Sequence, residues 1–184
     1  MVTSIYNDNE DGALQVTRHL LATGCRCIGL IHGTRGHYFT ESIIKGYTRA
    51  LGDAGSVLDP MLLTEGDFHL QGGYHAMVSL LDRKPDIDAV FTNDEMAVGA
   101  LRAIKERGRK VPEDIAIFGF DNLRISQQTE PRLSTVSVNY EQMAKMAVRR
   151  IIDSGADESI TPVRIIVPVQ LIVRESTRPV RGPG

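Results

Sequence analysis

The sequence contains no tryptophan and only two cysteines, Cys25 and Cys27. The two cysteines lie two positions apart in a predicted strand, so we expect both side chains on one face, where a disulfide between them would be strained. The nearby histidines, His32 and His37, do not stand at the spacing of a zinc site. The sequence therefore predicts two reduced, half-buried thiols and no metal centre.

Long apolar runs and an excess of positive charge are also missing. No run of apolar residues approaches the length of about 20 residues that a membrane-spanning helix needs. The 21 Lys and Arg against 23 Asp and Glu give a formal net charge of −2, which offers no basic surface for nucleic acid. The opening residues have neither the basic nor the apolar region of a signal peptide. We therefore expect no contact with a membrane, and no contact with DNA from these residues.

Catalytic and cofactor-binding motifs are absent as well. The sequence has no Gly-x-Ser-x-Gly elbow and no His-Glu-x-x-His pair, and the stretch 33–36 matches neither the dinucleotide fingerprint nor the phosphate loop. His32 and His37 have no nucleophile or metal ligand beside them in the sequence. These absences predict a binding protein without cofactor or enzymatic activity. An enzyme on the same fold stays the alternative, because a fold does not determine function.

What the sequence does contain is a regular alternation of strand and helix patterns. With 42% hydrophobic and 24% charged residues, it has the composition of an ordinary globular protein. The alternation predicts an α/β fold with a doubly wound parallel sheet in three layers, α/β/α. Strands are predicted over 27–31, 61–64, 87–92, 115–120, 133–136, 165–167 and 170–173. The first predicted helix begins at Asp8 or Asn9 and runs to about residue 23, and the second has Thr40 as its cap and ends near residue 55. Further helices are predicted through 76–81, ending before Pro85, over 94–107 and over 140–153.

Polar residues follow the two strands that flank the fourth predicted helix. Asn93 and Asp94 come directly after the strand over 87–92, and Asp94 is the predicted N-cap of the helix. Asp121 and Asn122 follow the strand over 115–120. Because open parallel sheets bind ligands beyond the carboxyl ends of their strands, we expect Asn93 and Asp121 to contact a small polar ligand. A helix cap for Asp94 and an Asx turn for Asp121–Asn122 are the purely structural alternatives.

Phe68 stands in a similar place after the strand over 61–64. A single phenylalanine is most often a core residue. Its position next to Asp67, at a strand end, also favours a ring that stacks on the apolar face of a ligand. Both interpretations stay open on the sequence alone.

Nine short motifs follow one another along nearly the whole chain. They are Asp8-Asn9-x-x-Gly12-Ala13, His19-Leu20-x-x-x-Gly24, Gly46-Tyr47-x-x-Ala50-Leu51, Gly66-Asp67-Phe68 with Gly73, Asn93-Asp94-x-Met96-Ala97-x-Gly99-Ala100-Leu101, Val111-Pro112-x-Asp114-Ile115-Ala116, Gly119-Phe120-Asp121-Asn122, Pro131-x-Leu133-Ser134-Thr135-Val136 and Val173-Arg174-x-Ser176-Thr177. Each motif alone is modest, but in this order and spacing they are highly specific together. By these motifs the sequence resembles the LacI/GalR-type bacterial transcriptional regulators.

The resemblance implies a type I periplasmic-binding-protein-like domain of two lobes. It implies a small-molecule effector, carbohydrate-like, that binds between the lobes and modulates operator binding. It also implies a cytoplasmic homodimer that reaches operator DNA through an N-terminal helix-turn-helix headpiece absent from this chain. A periplasmic solute-binding protein of a sugar transporter is the alternative with the same fold.

The resemblance also implies a role for individual residues. The ligand would be contacted by the Phe68 ring, by Asn93, by Asp121 as an acceptor, and by Tyr140 from the edge of the other lobe. Ile43 stands where the family usually carries an arginine that clamps the effector, which makes a standard sugar or purine pose doubtful. The subunit contact would include Val98, Ile125 and Thr129.

The expected division of the chain follows the same resemblance. Residues 1–138 would form the C-terminal lobe, 139–167 would belong to the N-terminal lobe, 168–176 would return to the C-terminal lobe, and 177–184 would be a flexible tail. Most of the N-terminal lobe would precede this chain. We therefore expect the helix and strand within 139–167 to lack the strands that normally cover them.

Overall fold

The computed structural model describes residues 3–156 and 161–180. Its strands are β1 (Ser4–Asn7), β2 (Ile28–His32), β3 (Leu63–Glu65), β4 (Ala89–Phe91), β5 (Ala116–Phe118), β6 (Thr135–Ser137), β7 (Arg164–Val167) and β8 (Gln170–Ile172). Its helices are α1 (Asn9–Ala22), α2 (Tyr38–Asp53), α3 (Leu70–Arg83), α4 (Asp94–Glu106) and α5 (Tyr140–Ala156), with 3₁₀ turns at Pro60–Leu62 and Arg124–Gln127.

The centre of the fold is a four-stranded parallel sheet in the order β3-β2-β4-β5. Successive residues of β4 serve two separate cores, because side chains alternate across a strand. Phe91 packs with residues of α1 and α2, and Val90 packs with residues of α3 and α4. The predicted doubly wound, three-layer α/β architecture is thus confirmed.

The helix boundaries match the sequence pattern in some places and not in others. Asp8 caps α1 as predicted, since its carboxylate accepts a hydrogen bond from the Asp11 amide over 3.1 Å. Thr40 does not cap α2, which begins earlier, at Tyr38, after His37 in the cap position. The prediction of a Thr40 cap is therefore wrong, and Thr40 lies fully buried within the first turn.

The two cysteines do not share a face of a strand, because β2 begins only at Ile28. Cys25 is buried in the core beneath α1 and α2, whereas Cys27 packs against the core beneath α3 and α4. Both are free thiols, as predicted. Burial raises the pKa of both, that of Cys27 to about 11, so neither is a reactive thiolate near neutral pH.

A second, two-stranded parallel sheet joins β1 to β7, with Ser4 opposite Arg164 and Asn7 opposite Val167. The sequence prediction missed β1, so the expectation that 139–167 has no partner strand is wrong in this respect. Helix α5 contacts β1. Its side chains Val148, Ile151 and Ile152 remain 57%, 71% and 65% exposed. In the part of the chain that is described, no helix has the length and apolarity needed to cross a bilayer.

The chain returns to the main sheet after β7. Strand β8 pairs antiparallel with β6, and single bridges connect Phe118 to Ser134 and Asp121 to Ser137. The next segment closes the open side of β5, because Ile117 donates its amide to Ser176 O over 2.9 Å and accepts the Ser176 hydroxyl over 2.6 Å.

The predicted flexible tail over 177–184 begins too early. Thr177 is buried and its hydroxyl lies 3.0 Å from that of Ser134. The Arg178 guanidinium donates to Pro112 O and Glu113 O, each over 3.0 Å. The first two residues of the predicted tail are therefore held to the body, and residues 181–184 lie outside the described part.

The opposite edge of the main sheet, at β3, is short and is covered by an arginine. Arg83, the last residue of α3, donates to Met61 O over 2.8 Å and to Leu63 O over 2.7 Å, and it also bonds the Thr64 hydroxyl. These are carbonyl and hydroxyl oxygens of the edge itself. One guanidinium therefore occupies acceptors that another strand would otherwise use.

Candidate ligand-binding site

The carboxyl ends of the main strands form one edge at which an aromatic ring is fixed against glycine. Phe68 follows β3, and its ring lies so close to Gly33, just after β2, that a Cβ atom on Gly33 would come within 1.8 Å of Phe68 Cζ. The ring centroids of Phe39 and His37 lie 6.0 and 6.2 Å from that of Phe68. The half-buried Phe68 ring is thus held at the edge, where it packs against the margin of the core beneath α3 and α4.

Asn93 joins this ring to the start of α4. Its Oδ1 accepts a hydrogen bond from the Met96 amide over 2.9 Å, and its Nδ2 donates to Phe68 O over 3.3 Å. Asn93, and not Asp94, is therefore the N-cap of α4, which corrects the sequence prediction. The Phe68 bond is long for a hydrogen bond, so it is the weaker of the two contacts and the one a ligand would replace.

Asp94 is fully buried below the edge and serves a different purpose. Its carboxylate accepts the Thr135 hydroxyl over 2.6 Å and the Leu123 amide over 2.7 Å. The pKa of Asp94 is raised to about 7. Burial is the main cause and the nearby charge of Asp121 adds to it, whereas the two hydrogen bonds oppose the shift. Asp94 thereby ties α4 to β6 and to the loop that follows β5.

Asp121 meets Tyr140 at the same edge, and the contact of either residue with a ligand stays a prediction. The Tyr140 hydroxyl donates to Asp121 Oδ1 over 3.2 Å. Burial raises the pKa of Asp121 to about 6, with a smaller contribution from Glu95, although the bond from Tyr140 opposes the shift. Burial, and then the Asp121 charge, raises the pKa of Tyr140 as well. An ionised carboxylate offers about four lone-pair positions, so Asp121 has acceptor capacity beyond the Tyr140 bond.

The backbone is strained at this edge. Phe68, Asp121 and Asn122 have φ angles of +69°, +107° and +52°, in the region that side chains other than glycine rarely adopt. Asn122 is held there by its amide, which donates to Thr135 Oγ1 over 3.2 Å, and by Arg174, which donates to its side-chain oxygen over 2.8 Å. Such backbone strain costs free energy and persists only where the surrounding structure holds the residue in place, and it is found most often at functional sites.

The chain as a whole is similar to known proteins. Residues 17–177 match the family model described as periplasmic binding protein-like domain. The transcriptional regulator CelR of Thermobifida fusca is 39% identical over 92% of this chain and 50% of its own length. The chain belongs to the LacI family.

Solved structures of LacI-family regulators share the fold closely. The structure of a CelR–cellobiose complex is 38% identical, with a TM-score of 0.92 over 95% of this chain and 54% of that one. The lac repressor dimer bound to operator and an anti-inducer is 27% identical, with a TM-score of 0.87 over 95% and 60%. This LacI-family chain spans about half the length of the curated relatives it matches. Those relatives are regulators of transcription and not enzymes.

Ile43 is only 4% exposed in this LacI-family chain and presents apolar surface alone. It lies on α2 and packs within the core, next to a small cavity below the edge. No charged head group replaces the arginine that the resemblance would place here. The contact of Ile43 with a ligand stays a prediction, and it would be an apolar one.

The residues predicted for the subunit contact lie on two elements that pack together. Val98 is on α4, Ile125 is in the 3₁₀ turn Arg124–Gln127, and Thr129 follows that turn; all three are half-exposed. Thr129 is held locally through its hydroxyl, which donates to Ser126 O over 3.4 Å. Their contact with a second copy stays a prediction.

One aromatic cluster near the site was missed at the level of sequence. The Tyr6 ring on β1 lies 4.7 Å from the Tyr38 ring at the start of α2, and the guanidinium carbon of Arg164 on β7 lies 5.0 and 4.8 Å from the two ring centroids. The cluster joins the two-stranded sheet to the main body. No local pattern predicted it, because β1 itself had not been predicted.

Proposed function

We propose that this chain is the effector-sensing and dimerisation part of a LacI-family transcriptional regulator, and that its effector is a small neutral carbohydrate. The sugar would bind at the carboxyl edge of the main sheet. Phe68 would stack on its apolar face, Asn93 and Asp121 would bond its hydroxyls, and Tyr140 would contact it from the side of α5.

The observation that carries this proposal is the pairing of Asp121 with Tyr140 on the same edge as the Phe68 ring. A sugar ring presents hydroxyls around its rim and C–H groups on its faces. A half-buried carboxylate accepts hydrogen bonds from the former, and an aromatic ring packs against the latter. The CelR–cellobiose complex supports a sugar as the ligand class.

The regulatory role rests on the same relatives. In a two-lobed domain, an effector changes the affinity for a second ligand only if it binds one lobe arrangement more tightly than the other. We therefore propose a cytoplasmic homodimer in contact through Val98, Ile125 and Thr129, and operator binding through a separate headpiece. The dimeric lac repressor on its operator supports this arrangement.

The test is a titration of the isotope-labelled chain with cellobiose, followed by heteronuclear NMR up to hundreds of millimolar sugar. We expect amide shifts at Phe68, Asn93 and Asp121. Asp121→Asn should weaken binding by about ten- to a hundredfold, since hydrogen bonds to charged groups contribute about 1.5–3 kcal/mol. Asparagine tolerates the positive φ at this position, so the fold should persist.

The matched control is Asp86→Asn, which alters an exposed carboxylate at the opposite end of the sheet. It should bind cellobiose as the unaltered chain does. Equal affinity of the Asp121→Asn and unaltered chains would remove Asp121 from the site. Shifts confined to residues remote from this edge would contradict the proposed binding position.

A further inference from the structure

Directly below the candidate site lies a small enclosed cavity between the ends of β2 and β4 and the first turn of α2. It has room for about one water-sized group. Most of its wall is apolar and comes from three aromatic rings and three aliphatic side chains: Phe39, Phe91, Phe120, Ile31, Ile43 and Met96.

Two threonine hydroxyls in this lining have no hydrogen-bond partner among the described residues. They are Oγ1 of Thr40 and Oγ1 of Thr92, on side chains that are 0% and 3% exposed. Buried hydroxyls are nearly always paired, because burial alone removes their bonds to water. A polar group in this cavity would supply the hydrogen bonds that the two hydroxyls lack.

His32 brings a third polar group to the same lining and is 5% exposed. Its Nδ1 lies 2.7 Å from Gly33 O. A carbonyl oxygen only accepts, so Nδ1 carries the proton, and in the neutral ring Nε2 is the acceptor. The lining thus combines two hydroxyls, each able to donate or accept, with one ring acceptor.

The lining restricts the chemistry of the missing group. It contains no Lys, Arg, Asp or Glu. A carboxylate or phosphate group is larger than the cavity, and an ammonium group would be buried without a carboxylate to compensate its charge. A methyl group would fit but would leave both hydroxyls unpaired. A hydroxyl has the right size and both donates and accepts.

We propose that this cavity is a subsite for a single hydroxyl group of the neutral sugar, bound by Thr40 and Thr92. The inference rests on the proposed function. It adds hydrogen bonds to one sugar hydroxyl, below the position where the sugar would stack on Phe68. Gly33 and Asn93 line the cavity and also touch Phe68, so it adjoins that position directly. A sugar lying on Phe68 would extend one hydroxyl past Asn93.

The experiment compares cellobiose with its monodeoxy derivatives, using heteronuclear NMR titrations of the labelled chain. Thr40→Val and Thr92→Val keep the shape of the side chain and remove the hydroxyl. Each should weaken cellobiose binding at least tenfold. One monodeoxy derivative should bind the unaltered chain with a similar loss, and the two valine variants should not weaken that derivative further.

Two controls separate the missing hydroxyl from a change in packing. Thr48→Val alters the same helix outside the cavity and should bind cellobiose as before. Thr40→Ser keeps the hydroxyl and should retain most of the affinity. If Thr40→Ser loses as much as Thr40→Val, packing and not the hydroxyl is responsible, and the proposal fails.

Thermal melting gives an independent check that needs no ligand. The Thr17 hydroxyl donates to Ala13 O over 2.9 Å, so Thr17→Val should lower the melting temperature. Thr40→Val and Thr92→Val remove unpaired hydroxyls and should not lower it. A drop as large as that of Thr17→Val would show that the cavity hydroxyls are already paired, for instance to a resident water, and would overturn the subsite.

The outcomes also distinguish this inference from the proposed function. If the valine variants bind cellobiose as tightly as the unaltered chain while Asp121→Asn does not, the cavity has no role and the proposed site stands. If the unaltered chain does not bind cellobiose at all, both are overturned together.

Discussion

The four-stranded sheet and the two-stranded sheet are both parallel but differ in burial. In the main sheet, every residue of β2, β4 and β5 is buried beneath two pairs of helices. In the β1–β7 sheet, Ile166 is 53% exposed, and α5 leaves Ile151 71% exposed. The periodicity that buries one face of α4 therefore gives α5 an apolar stripe that is largely open to solvent.

The difference shows that amphipathic patterning specifies an element but not its partner. Burial of apolar area is the main favourable contribution to folding, at about 25 cal/mol per Å². A helix that covers only two strands buries less apolar area than α4 does, so its burial contributes less to the free energy of folding. We therefore expect stability to be distributed unevenly, with the β1–β7–α5 region opening first.

The largest effect should come from a truncation in the main core. Phe118 on β5 is fully buried, so Phe118→Ala should lower the free energy of unfolding by about 3–5 kcal/mol. Ile152→Ala, on the exposed face of α5, should change it by less than about 0.5 kcal/mol. Urea unfolding followed by circular dichroism measures both. Similar losses for the two variants would show that α5 is buried in solution, by another copy or by a different packing.

The next effect is a pH dependence that belongs to the main sheet alone. The pKa of buried Asp94 is raised to about 7, so the folded state binds a proton that the unfolded state releases near pH 4. Stability should therefore fall as pH rises from about 4 to 7, by about 1–3 kcal/mol. Asp94→Asn should remove most of this slope when unfolding is measured across that range. Asp121, whose pKa is raised to about 6, should leave a smaller residual slope.

The matched control for the pH effect is Asp86→Asn, at an exposed carboxylate outside the site. Its profile should keep the slope of the unaltered chain. An Asp94→Asn profile that still falls as steeply would assign the effect to another group.

A third effect separates the two regions within one molecule. Amide hydrogen exchange at β2 and β4 should require global unfolding, whereas α5 should exchange through local opening. We expect the opening free energy of α5 to be lower by about 2 kcal/mol or more. Native-state exchange read by NMR reports both values at once. Protection of residues 143–151 equal to that of β4, in a monodisperse monomer, would refute the unequal distribution.

The smallest effect concerns the contact between the two regions. Tyr38→Ala removes one ring from the cluster with Tyr6 and Arg164, and exposed cation–π contacts contribute about 0.5–1 kcal/mol. The opening free energy of β1 and β7 should fall by that amount, with no change at β4. Tyr38→Phe keeps the ring and should behave as the unaltered chain in the same exchange experiment.

The sequence predicted β2, β4 and β5 of the main sheet well because each is a short, mainly apolar run that is fully buried. It failed at β1, where four residues of mixed polarity form a strand only through pairing with β7 near the other end of the chain. The sequence prediction also assigned the N-cap of α4 to Asp94, whereas Asn93 caps the helix. Either residue type can cap a helix, and the choice depends on Thr135, 41 residues away, which bonds Asp94.

The candidate site was predictable to a similar degree. The rule for open sheets placed Asn93 and Asp121 at the ligand edge, and the resemblance added Phe68 and Tyr140. The structure brings Phe68 to Asn93 and Tyr140 to Asp121 within hydrogen-bonding distance. The role inferred for Thr40 could not be predicted from the sequence, because a threonine near the start of a helix is typical of an N-cap. That its hydroxyl is unpaired follows only from the packing of the folded chain.

Arg83 has a consequence for how molecules of this protein meet. Its guanidinium occupies the carbonyl of Leu63 on β3 and that of Met61 in the turn just before it, while the segment around Ser176 covers β5. Both borders of the main sheet are therefore closed to strand addition, the route by which open sheets form fibres. Copies of this chain would therefore meet through other surfaces, such as helix faces, and not through the edges of this sheet.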